Sequence, residues 1–524
     1  MALSEMSLPL EKLTAHANSY ASANGLQIEK RNDEGSSVYE CAPMSLLPNA
    51  FPKEAFRRAQ SLAFPFNLLV DRISRNGDFL MSTLGGGVAE ADPFTGKILQ
   101  LYQQIYLEEN ENFAKSADRL GIQRSDYMLT DRGEGQPLEL KQVELNTIAA
   151  SFAALAVHVA ALHRHLIARF DSDVKDFLCL NKSVMVGSNP VSLSDHDEVP
   201  INPALACLPE AMDIAHKRYK SRFPDSDPVI LFVVQEGETN TVDQRMLEFQ
   251  LWETYGIPIV RMSLTRAHQD LDVDPSNGAA YITTAGRRQE VSVVYYRAGY
   301  APTDYPDGYS GIEWNTRERL ERSRATKCPS LGYHLAGTKK VQQALARPGS
   351  LERFFPSDDE YLMVQNMRSV FAGLYSLGDD ATIEDLAAVK DALNGSEDRY
   401  VLKPQREGGG YNFYGSELAN KLKQNTQRDP ASSELTLGKN LAEFILMERL
   451  FPPQQQAVLL RSGRVQGIGQ SISELGCFGV LVASSEGDVV HNQYAGFLLR
   501  TKFSNVDEGG VASGFATLSS PFLC

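Results

Sequence analysis

The stretch YVLKPQREGGGYNFYG at 400–415 brings a lysine, a carboxylate and three consecutive glycines to the end of an apolar run. Gly408, Gly409 and Gly410 permit φ > 0 and let backbone N–H groups approach an anion with no Cβ in the way. Lys403 and Arg406 add positive charge, and Glu407 adds a hard oxygen. Holding a nucleoside triphosphate with Mg2+ requires that combination. Three glycines alone would suit a flexible hairpin with solvated charges; the lysine and glutamate beside them favour the phosphate reading. Other phosphate signatures fail. Ala91 stands where a P-loop ending at Gly96-Lys97 needs glycine, and Ile98 replaces its Ser or Thr. Glu90 occupies the third glycine position of a dinucleotide fingerprint beginning at Gly85, and kinase motifs are absent.

A second pattern lies in KQVELNTIAAS at 141–151. Residues two apart on a strand face one side, so Glu144 and Asn146 project together, and their oxygens can both hold one Mg2+. Thr147–Ser151 then leads into an Ala-rich run, where the N–H groups of a helix start suit a carboxylate or oxyanion. An exposed strand edge with Ser151 as an ordinary helix cap fits those residues equally well. A third set is SISELG (471–476), LLRTK (498–502) and EGGVASG (508–514). Glu474 offers another oxygen, Arg500 and Lys502 point the same way if extended, and Val511–Ser513 suits a loop closing over small substrates. Alone, each of these would be a surface loop. Lys339, early in the helix expected at LAGTKKVQQ, becomes a phosphate contact only in company with Lys403. Arg124 in RSDYM and Arg297 in YYRAGY carry the fork that pairs bidentately with a carboxylate, or are surface charges. No H-x-x-x-H pattern occurs, and His163 and His165 read as structural.

These groups are far apart in the chain, so intervening elements must gather them. Residues 52–76 open with Pro52 at a first helical position and carry apolar residues at helical spacing; Pro65 is expected to kink or divide that helix. Leu138 to Leu145 alternates as a half-buried strand does, and 149–170 reads as a long helix. After the polar stretch 221–228, Val229–Val234 is continuously apolar, as in a strand covered on both faces. A helix from Val242 to Trp252, strands at Ile257–Arg261 and Glu290–Arg297, and a charged helix at Glu313–Arg324 complete a small parallel α/β unit. Tyr400–Leu402, Phe444–Met447 and Ser471–Val480 are further apolar runs, with turn-rich segments such as 424–434 between them.

At 524 residues the chain is too long for one core, so two or three packed units are expected. Its 66 acidic against 51 basic residues give a net charge of −15 with no basic patch, which excludes nucleic acid as an expected partner. With 43% hydrophobic and 22% charged residues, the composition is that of an ordinary globular protein. No stretch approaches the roughly 18 apolar residues that span a bilayer, so no membrane partner is expected. Cys41, Cys179, Cys207, Cys328, Cys477 and Cys524 form no C-x-x-C pair and suit reduced thiols in a cytoplasmic enzyme. The N-terminus, MALSEMSLPLEKL, reads as neither signal nor transit peptide.

Together these stretches resemble the eukaryotic-type glutathione synthetases, a branch of the ATP-grasp ligases. The resemblance runs from FPFNLLVDRIS at 64–74 through RSDYM, ELNTIAASF, YYRAGY, LAGTKKVQQ, KPQREGGG, ILME and ISELG to LLRTK and GGVASG, nearly the whole chain. It implies an α/β fold with an ATP-grasp core. Residues 1–227 would form its N-terminal part, 228–338 an inserted parallel α/β substrate-binding domain, and 339–524 the ATP-binding part with a Gly-rich lid and acceptor loop. By the same resemblance Glu144, Asn146 and Glu407 match the Mg2+ ligands, with two ions per site. ATP is matched by Glu144, Lys339, Lys403, Pro404, Gln405, Arg406, Glu407, Gly408, Gly409, Gly410, Tyr411, Asn412, Tyr414, Met447, Glu448, Arg449, Leu450, Glu474, Lys502 and Glu508. The ILME backbone suits the adenine edge, and Glu448 a ribose hydroxyl. The peptide positions are matched by Arg124, Ile148, Ala149, Ala150, Ser151, Glu238, Thr239, Asn240, Gln244, Arg297, Ala298, Gly299, Tyr300, Arg500, Val511 and Ala512.

Some members carry Asp where this chain has Ala298 or Glu508, and Asn where it has Tyr411; Glu508 keeps the charge but reaches one methylene further. Segment 185–210 reads as an insertion. Ala512-Ser513 stands where relatives that accept β-alanine carry Leu-Pro; small residues favour glycine, and Ser513 leaves a larger or hydroxylated acceptor open. The implied reaction is ATP-dependent ligation of γ-glutamylcysteine and glycine through an acyl phosphate, in a homodimer, with Arg124, Lys339, Lys403 and Arg500 serving the chemistry. It needs no nucleophilic side chain, and the sequence shows no Ser/His or Cys/His constellation. A ligase of the same type with β-alanine or serine as acceptor, and a nucleotide-binding scaffold without turnover, are the alternatives.

Overall fold

The computed structural model describes residues 8–32, 35–109, 112–133, 136–187, 191–194, 196–405, 411–428, 435–511 and 513–524. Helices α1 (Leu10–Ala23) and α2 (Lys53–Ser74) precede strands β1 (Arg119–Thr130) and β2 (Glu139–Asn146). Helix α3 (Ala153–Arg169), strand β3 (Val229–Val233), helix α4 (Thr241–Tyr255) and strands β4 (Ile259–Met262), β5 (Arg287–Tyr296) and β6 (Thr326–Cys328) follow. Helix α5 (Lys339–Ala346) then leads to β7 (Tyr400–Pro404), β8 (Phe444–Glu448), β9 (Arg464–Ala483) and β10 (Val489–Phe503).

Among the described residues a sheet of 13 strands forms the backbone of the fold. Strand β1 is its seam, antiparallel to β2 and β9 and parallel to β6. Beyond β6, the strands β5, β3 and β4 run parallel. Every residue of β3 is buried, as its unbroken apolar run requires. On the other side β9 and β10 form a long antiparallel pair. A separate four-stranded antiparallel sheet comprises Leu374–Ser376, β8, β7 and Phe413–Tyr414. It has its own core, which includes Leu377, Val389, Leu402, Leu418, Leu422 and Leu446.

Helix α2 departs from expectation, because it runs unbroken through Pro65. A proline inside a helix costs about 3 kcal/mol. Against that, Phe56, Leu62, Phe66, Leu69, Val70 and Ile73 are all buried, each burial contributing about 1.5–3 kcal/mol. Asn67 fixes the helix to the sheet by donating to Val480 O at 3.2 Å and to Asn492 Oδ1 at 2.8 Å. Asn492 Nδ2 in turn donates to Phe64 O at 3.2 Å.

Helix α3 starts at Ala153 rather than 149, because the preceding turn ends at Phe152 with φ 69°. His163 is structural, as expected. Its Nε2 lies 2.9 Å from Ser45 O and its Nδ1 2.7 Å from Ser520 Oγ, and burial lowers its pKa to about 4. His165 Nε2 meets His16 Nε2 at 2.8 Å. In the 185–210 segment, Asp197 receives Lys182 Nζ at 2.6 Å, and Glu198 bridges to Leu523. All six cysteines are free. Among the described residues no helix is long and apolar enough to cross a membrane.

Candidate active site

Four adjacent strands, β2, β1, β9 and β10, make the floor of a cleft. Side chains alternate across a sheet, so one face of these strands presents Glu144 and Asn146, Arg124 and Asp126, Glu474, and Arg500 and Lys502. The register pairs Arg124 with Asn146, Asp126 with Glu144, and Glu474 with Arg500. The opposite face carries Leu145, Ser125, Tyr127, Leu475, Cys477, Leu499 and Thr501, all buried. Both expectations of two-apart pairing are therefore met in the structure.

Arg124 forks onto Asp126 with Nε at 2.6 Å and Nη2 at 2.8 Å. Arg500 Nη2 donates to Asp126 Oδ2 at 2.8 Å and also to Glu474 Oε1. Asn146 Nδ2 donates to Asp126 Oδ2 at 3.0 Å and to Glu144 Oε1 at 3.1 Å. Lys339, the first residue of α5, reaches Glu144 Oε2 at 3.1 Å. Between β1 and β2 the register slips past Val143, and the carbonyl of this bulged residue accepts Lys403 Nζ at 3.2 Å. The sequence segments 141–151 and 400–415 thus meet.

Burial would raise the Glu144 carboxyl, but Lys339, Lys403, Arg500 and Arg124 together outweigh it and hold the group well below the usual range. Glu474 moves the other way, raised by burial and by the charges of Asp126 and Glu144 in spite of Arg500. Burial lowers Lys403, opposed chiefly by Glu144, and burial likewise lowers Lys502. Oxygens of Asp126, Glu144 and Glu474 all lie within 4.8 Å of one another, a hard-oxygen set of the kind that suits Mg2+.

The cleft has a volume of about 270 Å3. At one end the four-stranded sheet covers it with Val401 and Met447, and these pack with Leu450, just beyond β8, and with Met128 and Val143. Pro404, Tyr411, Tyr414, Glu448 and Arg449 also line it. Glu448 is already engaged, accepting from Arg132 Nη1 at 2.6 Å and from Gly373 N at 3.2 Å. Contacts next to this sheet tie it to the C-terminal loop: Arg449 to Asp507 at 2.7 Å, and Asn412 N and Nδ2 to Glu508 Oε1 and Oε2 at 3.2 and 3.4 Å. Gln405 points elsewhere, accepting from Lys340 N at 2.8 Å.

At the other end the lining comes from Ile148, Ala149, Ser151, Tyr300 and Val511. Burial pushes the Tyr300 phenol up to about 12. The other described residues expected at the peptide, apart from Arg124 and Arg500, do not line the cleft. Arg297 is buried, donating to Ala150 O at 2.9 Å and to Ser151 Oγ at 2.6 Å. Gly299 N and Tyr300 N, on either side of the turn after buried Ala298, donate to Asp304 Oδ2 at 2.8 and 3.1 Å. Glu238 accepts from Asn240 N at 2.7 Å and from Gln244 Nε2 at 2.8 Å, and Gln244 Oε1 accepts from Arg261 at 2.7 Å. Thr239 O receives Glu29 N at 3.0 Å. Arg406, Glu407, Gly408, Gly409, Gly410 and Ala512 lie outside the described residues.

Sequence reasoning missed Asp126, Asp243, Arg261, Arg132 and Asp507. A signal for Asp126 was present in RSDYM, since a strand there puts it on the face of Arg124. Asp243 had none: its buried carboxylate accepts from Phe152 N and Ala154 N, each at 2.8 Å, capping α3 from another helix.

The family model for the eukaryotic glutathione synthase ATP binding domain matches residues 8–523. A glutathione synthetase of Dictyostelium discoideum is 37% identical over 98% of this chain and 99% of its own. The Homo sapiens glutathione synthetase is 37% identical over 98% of this chain and 97% of its own. A chloroplastic glutathione synthetase of Solanum lycopersicum is 39% identical over 98% of this chain and 84% of its own. The apo structure of a glutathione synthetase-like effector from Globodera pallida superposes with a TM-score of 0.69 at 22% identity, covering 98% of this chain and 97% of that one, and so shares the fold. With a full-length family match and relatives this similar end to end, the chain belongs to the eukaryotic glutathione synthase family.

Proposed function

We propose that the protein joins γ-glutamylcysteine to glycine, giving glutathione, ADP and phosphate. Family membership makes it an ATP-dependent carbon–nitrogen ligase of glutathione biosynthesis. The observation that supports the residue roles is the convergence on one cleft of Lys339, 3.1 Å from Glu144, and Lys403, 3.2 Å from Val143 O.

The apolar end at Val401, Met447 and Leu450 suits an adenine ring, and the β8 backbone suits its polar edge. Lys339, Lys403 and Lys502 then face the phosphates, where a preorganised cation costs no reorganisation. The oxygens of this floor fit Mg2+. Glu144 and Asn146, with Glu407, would hold it, two ions per site by resemblance, and when bound it neutralises phosphate charge.

An oxygen of the cysteinyl carboxylate attacks the γ-phosphorus, and the bond to the ADP oxygen breaks. The glycine amine then attacks the acyl carbon, losing a proton as phosphate departs with the acyl oxygen. Arg124 stands to stabilise the oxyanion, Arg500 to hold the carboxylate, and Ile148–Ser151 with Tyr300 to orient the dipeptide. The loop around Val511, held near the nucleotide end by Asp507 and Glu508, would keep water from the acyl phosphate.

Exposed Phe249 and Trp252 on α4 lie beyond its start, where Thr241 and Thr239 bond Glu29 of a hairpin that exposes Val38 and Tyr39. These apolar groups support a homodimer, checked by light scattering. Free cysteines support a cytoplasmic location. ADP release from the purified protein tests the function. It is expected with γ-glutamylcysteine plus glycine, with product mass equal to glutathione. A product formed only with β-alanine or serine would overturn the acceptor assignment, and no ADP with any of the three would overturn the activity.

A further inference from the structure

Asp126 lies at the centre of the charged floor, 0% exposed. Its Oδ1 takes Arg124 Nε at 2.6 Å, while its Oδ2 takes Arg124 Nη2 at 2.8 Å, Arg500 Nη2 at 2.8 Å and Asn146 Nδ2 at 3.0 Å. Four donors thus share two oxygens. On β9, Gly476 stands opposite Asp126 in the ladder. A Cβ there would lie 2.7 Å from both Arg124 Cδ and Asp126 Oδ1, so the neighbouring strand leaves room for this pair. Asn146 has carboxylate oxygens of Asp126 and Glu144 against its NH2 group, which turns its carbonyl away from them.

We propose that Asp126 is the positioning residue of the ligation. It holds Arg124 and Arg500 in the orientations that meet the dipeptide carboxylate and its oxyanion, and it sets the amide of Asn146 so that the carbonyl is presented to a divalent cation. The proposal rests on the roles given above to Arg124, Arg500 and Asn146. Among the described residues the floor and the lysines facing it carry the cations Arg124, Arg500, Lys502, Lys339 and Lys403 against the carboxylates Asp126, Glu144 and Glu474. Without Asp126 the two arginines would turn toward the remaining carboxylates. They would still attract an anionic dipeptide but would no longer match its transition state.

Asp126→Asn separates this role from a merely structural one. Its expected kcat is lower by about 10²-fold, on the scale of a lost oxyanion donor, with the KM for γ-glutamylcysteine unchanged or lower. In the presence of a non-hydrolysable ATP analogue, Mn2+ followed by electron paramagnetic resonance should bind about tenfold more weakly, as when the partner of a metal ligand is removed. Gly476→Ala, which crowds the pair and keeps its charge, should lower kcat in the same direction and carries the test if the first variant does not fold. A folded Asp126→Asn protein with wild-type kcat and Mn2+ affinity would overturn the proposal. So would a loss accounted for entirely by a smaller folded fraction, or an unaffected Gly476→Ala protein. The Mn2+ comparison stands even if the wild-type protein ignores γ-glutamylcysteine, so failure of the function and failure of the positioning role are distinguishable.

Discussion

Asp243→Asn should loosen the dipeptide end of the cleft and leave the nucleotide end alone. The Asp243 carboxylate accepts from Phe152 N at 2.8 Å, Ala154 N at 2.8 Å and Leu155 N at 3.2 Å. It therefore caps α3 and pins the end of the turn that carries Ile148–Ser151. That turn cannot hold itself, because Phe152 has φ 69°, a left-handed conformation that costs a bulky residue on the order of 1–3 kcal/mol. Alanine at 243 would orphan three buried N–H groups, each worth about 1–3 kcal/mol, and deprive buried Arg297 of a nearby anion. A loss of about 4 kcal/mol would follow, enough to prevent a folded α3 start.

Asparagine is the informative change. Burial raises the Asp243 carboxyl, so the native charge carries a desolvation cost that the amide avoids. One amide oxygen also still accepts. The net loss is then about 1.4 kcal/mol, or tenfold in the population of the closed turn. Steady-state kinetics should show the KM for γ-glutamylcysteine raised about tenfold and that for ATP within about twofold. Hydrogen exchange at residues 152–155 should quicken by the same factor as the dipeptide KM rises. Unchanged exchange there, or an equal rise in both KM values, would refute the reasoning.

Three other outcomes follow from named contacts. Lys340 Nζ bonds Ser376 Oγ at 2.6 Å and Asp380 Oδ1 at 2.7 Å, so it ties α5 to the four-stranded sheet; Lys340→Met should raise the KM for ATP about tenfold with little change for the dipeptide, by initial rates. Glu144→Ala should lower ATP-dependent turnover by about 10²- to 10³-fold while circular dichroism stays native. His163, with its folded pKa of about 4 below the usual 6.5, takes up a proton on unfolding between those values, so stability is full above pH 6.5 and falls by about 3 kcal/mol toward pH 4. In urea unfolding, His163→Gln should flatten that part of the pH profile.

Local periodicity made much of the site readable. Glu144 with Asn146, and Arg500 with Lys502, share a face because a strand repeats every two residues. The apolar runs Phe444–Met447 and Tyr400–Leu402 are adjacent strands because their apolar side chains need a shared core. What eluded sequence reasoning was tertiary. Arg500 meets Asp126 across 374 residues, a consequence of strand order that no local pattern carries. The cap on α3 comes from another helix, so the Ala-rich run reads as starting four residues too early. Pro65 misleads for a related reason, since its rule describes an isolated helix and α2 is held by burial.

The site and the core are two faces of the same four strands, and this decides what fixes the charges. Shifting β9 by one residue would turn Glu474 inward and bring Leu475 into the cleft. Buried Leu475, Cys477 and Leu499 oppose such a slip, as does α2, which packs against β9 and β10. Each large apolar side chain contributes about 1.5–3 kcal/mol by its burial, whereas in ion pairs as buried as Arg124–Asp126 and Arg500–Asp126 desolvation offsets most of the Coulomb attraction. The hydrophobic face therefore sets the register and the charged face follows it. It can then keep lysines with lowered pKa and a glutamate with a raised one without deciding the fold. On the roles proposed for them, that separation would let Arg124, Arg500 and Lys339 exchange their internal carboxylate partners for substrate while the strands stay in place.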